Sequence, residues 1–265
     1  MKIEVEGYRV VVTAGARGIG RAIVEAFAQN GAKVHLCDID ELALQACLTA
    51  VSETTDATPT GTVCNVGNPQ QVDIFMSEAI ENLGGIDVLV NNAGIAGPAG
   101  PVETVTQDGL LDTLNVNLGS QFYTAKHAIP LMKAQRSGTI INIASTAGQY
   151  GFPYRSPYCT SKWAIIGLTK TMAMELGEFN VRANVICPGS INNERMAQVI
   201  QLEHEVTGIP KAQVREGFLK QVSMQTFIDP EEIAQMALFL SSPLGKHISG
   251  QAVAIDGHTE TMRNQ

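Results

Sequence analysis

The sequence predicts a single-domain α/β protein, a doubly wound parallel sheet with helices on both faces and a helical lid over one end. Three observations carry that expectation. Short apolar runs alternate with stretches of helical spacing and length from residue 8 to residue 189, the rhythm of right-handed βαβ crossovers in a buried parallel sheet. A glycine-rich turn, TAGARGIG at 13–20, joins the first strand to the first helix. A polar, helix-like insertion at 190–228 breaks the rhythm before it resumes.

Taken in order, YRVVVT (8–13) is an apolar run that stops at the glycines, and RAIVEAFAQNG (21–31) shows helical apolar spacing closed by Gly31. KVHLCD (33–38) is the next strand, followed by the helix-like DELALQACLTAVSE (40–53), then GTVCNV (61–66) and the helical PQQVDIFMSEAIENLG (69–84). The alternation continues with IDVLVNNAG (86–94), one long helix over about 106–134, GTIINIAS (138–145), a helix over about 157–178 and VRANVICPG (181–189). After the insertion, a helix over 229–241 precedes a last strand near 251–256. Ligands of such sheets sit beyond the carboxyl ends of the strands, where the strand order reverses. This predicts a cofactor half over about 1–95, a catalytic half over about 96–189, and a lid over about 190–228 that closes on substrate and excludes water.

At 265 residues the chain is long enough to bury a sizeable core, and no stretch of it reads as a linker. A net charge of −8 argues against a phosphate-backbone binder, so nucleic acid is not an expected partner. No apolar run approaches the roughly 20 residues of a membrane span, and MKIEVEGYRVVV lacks a signal-peptide layout. The expected location is the cytoplasm, without membrane contact. Cys37, Cys47, Cys64, Cys159 and Cys187 form no C-x-x-C and read as small core hydrophobes. His35, His127, His204, His247 and His258 are scattered, and no metal site is expected.

At the cofactor end, Gly15, Gly18 and Gly20 let the backbone turn sharply and approach a pyrophosphate at the start of a helix. Asp38 closes the second strand at the spacing where an acid receives the adenosine ribose hydroxyls and repels a 2′-phosphate. NAD is therefore expected over NADP, with Arg17 the feature that would favour NADP. Asp38 or Asp40 is expected to cap the helix that follows.

At the chemical end, SPYCTSKWA (156–164) places Tyr158 and Lys162 one helical turn apart on one face. A phenol titrates near about 10 in water, so a base of this type needs a neighbouring cation, which favours the phenolate. On its own, such a pair is ordinarily a packed ring beside a solvated ammonium.

The glycine loop at 13–20, NNAG at 91–94, NVNLGSQF at 115–122, Ser145 ahead of the Tyr158/Lys162 pair, and PG at 188–189 occur in order. With these motifs the chain resembles the short-chain dehydrogenase/reductase family nearly end to end. The resemblance implies a Rossmann fold and hydride transfer between NAD(H) and a secondary alcohol or ketone, with Asn117, Ser145, Tyr158 and Lys162 as the catalytic set. Tyr158 would be the general base in oxidation and acid in reduction. Lys162 would also bond the nicotinamide ribose, Ser145 the substrate oxygen, and Asn117 a relay water. Cofactor contacts carry over to Gly15, Arg17, Gly18, Ile19, Gly20, Asp38, Asn65, Val66, Asn92, Ala93, Gly94, Tyr158, Lys162, Pro188, Gly189 and Ile191. A homotetramer packed through the helices near 106–134 and 157–178 is also implied. The alternatives are an NADP-dependent carbonyl or 3-oxoacyl reductase, a non-catalytic dinucleotide sensor of the same fold and, as a minor reading, an epimerase or dehydratase.

Three positions depart from the family pattern. Ala14 replaces a glycine, Asn65 stands where an aspartate faces the adenine amine, and Asn193 stands where a threonine contacts the nicotinamide amide. Gln149, Tyr150 and Tyr154, with Asn192, Arg195 and Met196 at the start of the lid, are the expected lining of the substrate pocket beside Ser145 and Tyr158. Arg155 and Arg195 are candidates for an anionic substrate group, or ordinary surface arginines.

Overall fold

The structure, a computed structural model, describes residues 3–259, and the side chains of Arg195, Leu202 and Val206 lie outside that description. The first half runs β1 (Arg9–Thr13), α1 (Gly18–Gln29), β2 (Lys33–Asp38), α2 (Glu41–Thr54), β3 (Thr60–Val63), α3 (Pro69–Leu83) and β4 (Val88–Asn91). The second runs α4 (Gln107–Leu114), α5 (Ser120–Gln135), β5 (Gly138–Ile143), α6 (Ser156–Leu176) and β6 (Val181–Pro188). The insertion holds α7 (Glu194–Thr207) and α8 (Lys211–Lys220), and α9 (Pro230–Ser241) and β7 (Ala252–Ile255) complete the fold.

The seven strands form one sheet in the order β3-β2-β1-β4-β5-β6-β7, and every pairing is parallel. The order reverses between β1 and β4, where a doubly wound sheet opens its ligand crevice. Both faces of the central strands are buried, which is why these strands read as unbroken apolar runs. On one side Val10, Val12, Leu36, Val88 and Val90 pack with Ile23, Phe27, Ile233 and Leu238. On the other, Val11, Leu89 and Ile140 pack with Phe75, Met76, Met132 and Leu176. Each such side chain contributes about 1.5–3 kcal/mol by leaving water. The five cysteines are free and buried, and burial pushes the thiols of Cys47 and Cys187 up to about 11, so they behave as core hydrophobes.

The helix expected over 106–134 has an interruption. Asn115–Gly119 forms a π turn between α4 and α5, and such single turns mark functional sites because they free backbone groups and re-aim side chains. The strand expected over 61–66 leaves the sheet after Val63, and the one over 86–94 leaves it after Asn91. In each case the next residues turn over the sheet end instead.

The insertion begins at the carboxyl end of β6. Its helices share a small core of Ile200, Val214 and Phe227. A parallel bridge between Ile191 and Ile228 closes its base, both isoleucines pack into the core of the sheet, and Asn192 Nδ2 donates to Asp229 Oδ1 at 3.0 Å.

One core residue makes stability depend on pH. His35 stacks on Phe75 with centroids 5.5 Å apart, and its ring nitrogens lie 2.7 Å and 3.1 Å from the hydroxyls of Thr60 and Thr62. Burial pushes its pKa down to about 4, against a smaller opposing pull from Glu78. Between the unfolded value near about 6.5 and the folded one, the unfolded chain binds the extra proton, so stability falls as pH falls through that window and this term loses nothing more below it. The full term is on the order of 3 kcal/mol. Denaturant titrations of the protein and of His35→Gln between neutral pH and the lower end of the window are expected to show a shallower pH slope in the variant. Equal slopes would contradict the assignment.

Candidate active site

The glycine turn is shaped by close approaches. A Cβ on Gly20 would lie 2.1 Å from Ala14 O, and one on Gly15 would lie 2.8 Å from Leu36 Cβ, so neither position accepts a side chain. Ala14 keeps a left-handed backbone with φ of 50°. The turn therefore retains the conformation a glycine would adopt freely, at a strain of about 1–2 kcal/mol for an alanine. At the start of α1 no acidic residue occupies the first turn and Arg17 supplies no side-chain cap. The first backbone N–H groups are thus available to an anion.

The end of β4 is locked onto this turn. Thr13 Oγ1 accepts from Asn92 N at 3.0 Å and Ala93 N at 3.1 Å, while Asn92 Nδ2 donates to Thr13 O at 3.1 Å and Ala14 O at 2.9 Å. Thr13 opens the TAGARGIG stretch, but its place in the sequence gives no sign of this bonding role. At the end of β2, Asp38 accepts from Ala16 N through Oδ2 and from Asp40 N through Oδ1, both at 3.1 Å. Its carboxylate is thereby aimed beside the turn. The cap of α2 is Asp40, not Asp38: Asp40 Oδ1 accepts from Ala43 N at 3.0 Å. Its other oxygen lies 2.6 Å from Arg17 Nη2, so the arginine is already engaged by a carboxylate.

After β3, Asn65 Oδ1 accepts from Gly67 N at 2.9 Å, closing a tight turn, and Val66 is buried. After β6, Pro188 is buried, and a Cβ on Gly189 would lie 2.7 Å from Asp256 Cβ. Ile191 is buried in the bridge to Ile228. Asn193 caps α7 by accepting from Met196 N at 3.0 Å, and its Nδ2 lies 3.7 Å from where a Gly18 Cβ would stand. The start of the insertion thus comes up beside the glycine turn.

Four elements converge at the chemical end. Lys162 on α6 is only 3% exposed. Its Nζ donates to Ile143 O at 3.0 Å, at the end of β5, and lies 5.6 Å from the centroid of the Tyr158 ring. Asn117, fully buried in the π turn, accepts from Ile95 N at 2.7 Å and donates from Nδ2 to Ile95 O at 3.0 Å and Ser161 Oγ at 2.9 Å. Ser161 Oγ in turn donates to Tyr158 O at 2.7 Å. A Cβ on Gly94 would meet Asn117 Oδ1 at 3.2 Å and Lys162 Nζ at 3.4 Å, so the two side chains approach each other where Gly94 leaves room. Ser145 follows β5, half-buried, with its Oγ accepting from Ala147 N at 3.2 Å. Ser161 was not singled out in the sequence; its signal was its place between Tyr158 and Lys162 in the same turn.

The expected substrate lining is less uniform. Gln149 Oε1 is buried and has no hydrogen-bond partner among the described residues, and Tyr150 is half-buried. Tyr154 is exposed with φ of 61°, its carbonyl held by Gly100 N at 3.0 Å. The Asn192 amide is engaged by Asp229, and Met196 packs against the core of the insertion. Arg195 lies on α7, its side chain outside the described residues, and Arg155 precedes α6. Among the described residues no three His, Cys, Asp or Glu side chains gather where an ion could be held.

The free helix start, the aimed acid of β2 and the buried ammonium all lie at the carboxyl ends of strands on either side of the β1/β4 switch. Fold and site together define a doubly wound oxidoreductase that binds a nicotinamide dinucleotide. The comparisons agree. Residues 13–258 match the family model described as enoyl-(acyl carrier protein) reductase. The chain is 36% identical over 255 residues to the 3-oxoacyl-(acyl-carrier-protein) reductase of Thermotoga maritima, covering 96% of this chain and 98% of that one. L-Sorbose reductase from Gluconobacter frateurii, solved with NADPH and L-sorbose, superposes with a TM-score of 0.93 at 26% identity over 98% of each chain. NAD+-bound xylitol dehydrogenase superposes with a TM-score of 0.90 at 30% identity over 97% of this chain and 100% of that one. The chain belongs to the short-chain dehydrogenase/reductase family.

Proposed function

We propose that this protein is an NAD-dependent dehydrogenase of a secondary alcohol, working as a ketone reductase in reverse, with Tyr158 exchanging the hydroxyl proton. The observation that carries the reading is the buried Lys162 ammonium, held by Ile143 O and set between Asn117, Gly94 and the Tyr158 ring. A cation so placed stabilises negative charge developing on the phenol oxygen. Ser145 holds the substrate oxygen, and Asn117 holds the water through which the proton leaves. The tight turn that Gly15 and Gly20 allow, the start of α1 with no side-chain cap and the Asp38 carboxylate fit a dinucleotide. When bound, the cofactor supplies the hydride acceptor. Gly18, Ile19, Asn65, Val66, Asn92, Ala93, Pro188, Gly189 and Ile191 complete its contacts in this reading. The segment 190–228 acts as a lid over a pocket lined by Gln149, Tyr150, Tyr154, Asn192, Arg195 and Met196.

NAD is favoured over NADP because two carboxylates, Asp38 and Asp40, stand at the ribose end and the Arg17 guanidinium is tied to Asp40. The wild-type protein is expected to bind NAD more tightly than NADP. Asp38→Ser is expected to weaken NAD by roughly 10–100-fold, the worth of a hydrogen bond to a charged group, and to strengthen NADP. Tighter wild-type binding of NADP, measured by calorimetry, would reject the assignment. Identity with the Thermotoga reductase favours a second reading, reduction of an acyl-thioester ketone, for which the same four residues serve.

We place the protein in the cytoplasm as a homotetramer. In support, no helix of the described residues is long and apolar enough to cross a membrane. Leu111, Phe122, Trp163 and Met174, the last 86% exposed, leave apolar surface on α4, α5 and α6 for a second copy to cover.

A further inference from the structure

The π turn does more than carry Asn117. Its first residue, Asn115, donates from Nδ2 to Gly67 O at 2.7 Å, while its Oδ1 accepts from Tyr123 OH at 2.7 Å. The phenol thereby fixes which way the amide faces. Gly67 belongs to the turn after β3, where its N–H donates to Asn65 Oδ1 at 2.9 Å, Asn68 N donates to Asn65 O at 2.9 Å, and Asn65 N donates to Gln71 Oε1 at 2.8 Å. A Cβ on Gly67 would lie 3.1 Å from Val116 Cγ2 and 3.2 Å from Asn115 Nδ2, so a glycine there lets the π turn come this close. Val66 is buried in the same cluster against which Val116 and Tyr123 pack.

One five-residue segment therefore holds Asn117 at the chemical end and, two residues earlier, the turn that carries Asn65 and Val66. We infer that Asn115, oriented by Tyr123, is a positioning residue for the adenosine end of the dinucleotide, tying the 65–68 turn to the segment that carries the catalytic amide. A π turn suits this task because its extra residue lets Asn115 and Asn117 face different partners within one short stretch. The inference rests on the dinucleotide reading of the site.

The test measures binding of ADP-ribose, which carries the adenosine end and lacks the nicotinamide, and of nicotinamide mononucleotide, which lacks the adenosine end. Asn115→Ala removes both side-chain hydrogen bonds, of which the neutral one to Gly67 O holds the 65–68 turn, and is expected to weaken ADP-ribose by roughly three- to tenfold, with nicotinamide mononucleotide binding as in the wild type. The change is expected in KM for NAD and not in kcat. Tyr123→Phe, which keeps the ring and frees the amide, is expected to show the same pattern at smaller size, and it carries the test should Asn115→Ala fail to fold. Asp38→Ser serves as the reference. If it weakens ADP-ribose and neither Asn115→Ala nor Tyr123→Phe does, or if these two weaken both probes alike, the positioning role is overturned alone. If none of the three variants affects ADP-ribose, the dinucleotide reading falls with it.

Discussion

Replacing Tyr158 by phenylalanine is expected to lower kcat by roughly 10²–10⁴-fold while leaving the dissociation constant of NAD unchanged within about twofold. The substitution removes one oxygen and keeps the ring, which is half-buried and faces the Lys162 ammonium. The links from Asn117 through Ser161 to the backbone carbonyl of residue 158 do not involve the phenol oxygen and persist. What disappears is the group that takes the hydroxyl proton, so the loss belongs to the chemical step. Steady-state turnover with cofactor titration separates the two quantities, and turnover equal to wild type would reject Tyr158 as the acid/base.

Lys162→Met is expected to damage both binding and turnover. Methionine keeps most of the stem in a site only 3% exposed, so packing survives while the ammonium and its bond to Ile143 O are lost. Each hydrogen bond to a charged group is worth about 1.5–3 kcal/mol, or roughly tenfold for every 1.4 kcal/mol. One such bond to the nicotinamide ribose predicts NAD weaker by about tenfold or more. Loss of the cation beside the phenol predicts kcat lower by about 10²-fold or more. A fall in kcat with unaltered NAD affinity would show that the ammonium serves the phenol alone and would remove its ribose contact from the account.

The strands were legible because a parallel sheet covered on both faces demands continuous apolar runs, and Val10–Val12, Val88–Val90 and Ile140–Ile141 supply them. Strand ends were not. Residues 64–66 and 92–94 continue the local pattern, yet their backbone leaves the sheet to turn over its edge, a choice made by tertiary partners such as Gln71, Asn115 and Thr13. The π turn was hidden for a related reason: one extra residue between α4 and α5 scarcely disturbs the apolar spacing of either helix. Asp38 and Asp40 both fit a cap by spacing, and only the approach of Ala43 N decides for Asp40. In the site, Tyr158 and Lys162 could be read because one helical turn fixes their relation. Thr13 and Asn115 could not, since their partners lie on other elements or in backbone groups that sequence spacing does not locate. The conformation of Ala14 was equally out of reach, because alanine rarely adopts the φ that this turn imposes.

The proposed role of the Tyr158/Lys162 couple is hydride transfer between NAD and a secondary alcohol. It is tested most directly by following NADH absorbance with the purified protein, NAD and a panel of secondary alcohols and polyols, and in reverse with NADH and the matching ketones and acyl-thioester ketones. NADH is expected to form in step with ketone for at least one alcohol, with the signal abolished by Tyr158→Phe. A protein that binds NAD yet neither forms NADH from any alcohol nor consumes it with any ketone would contradict it.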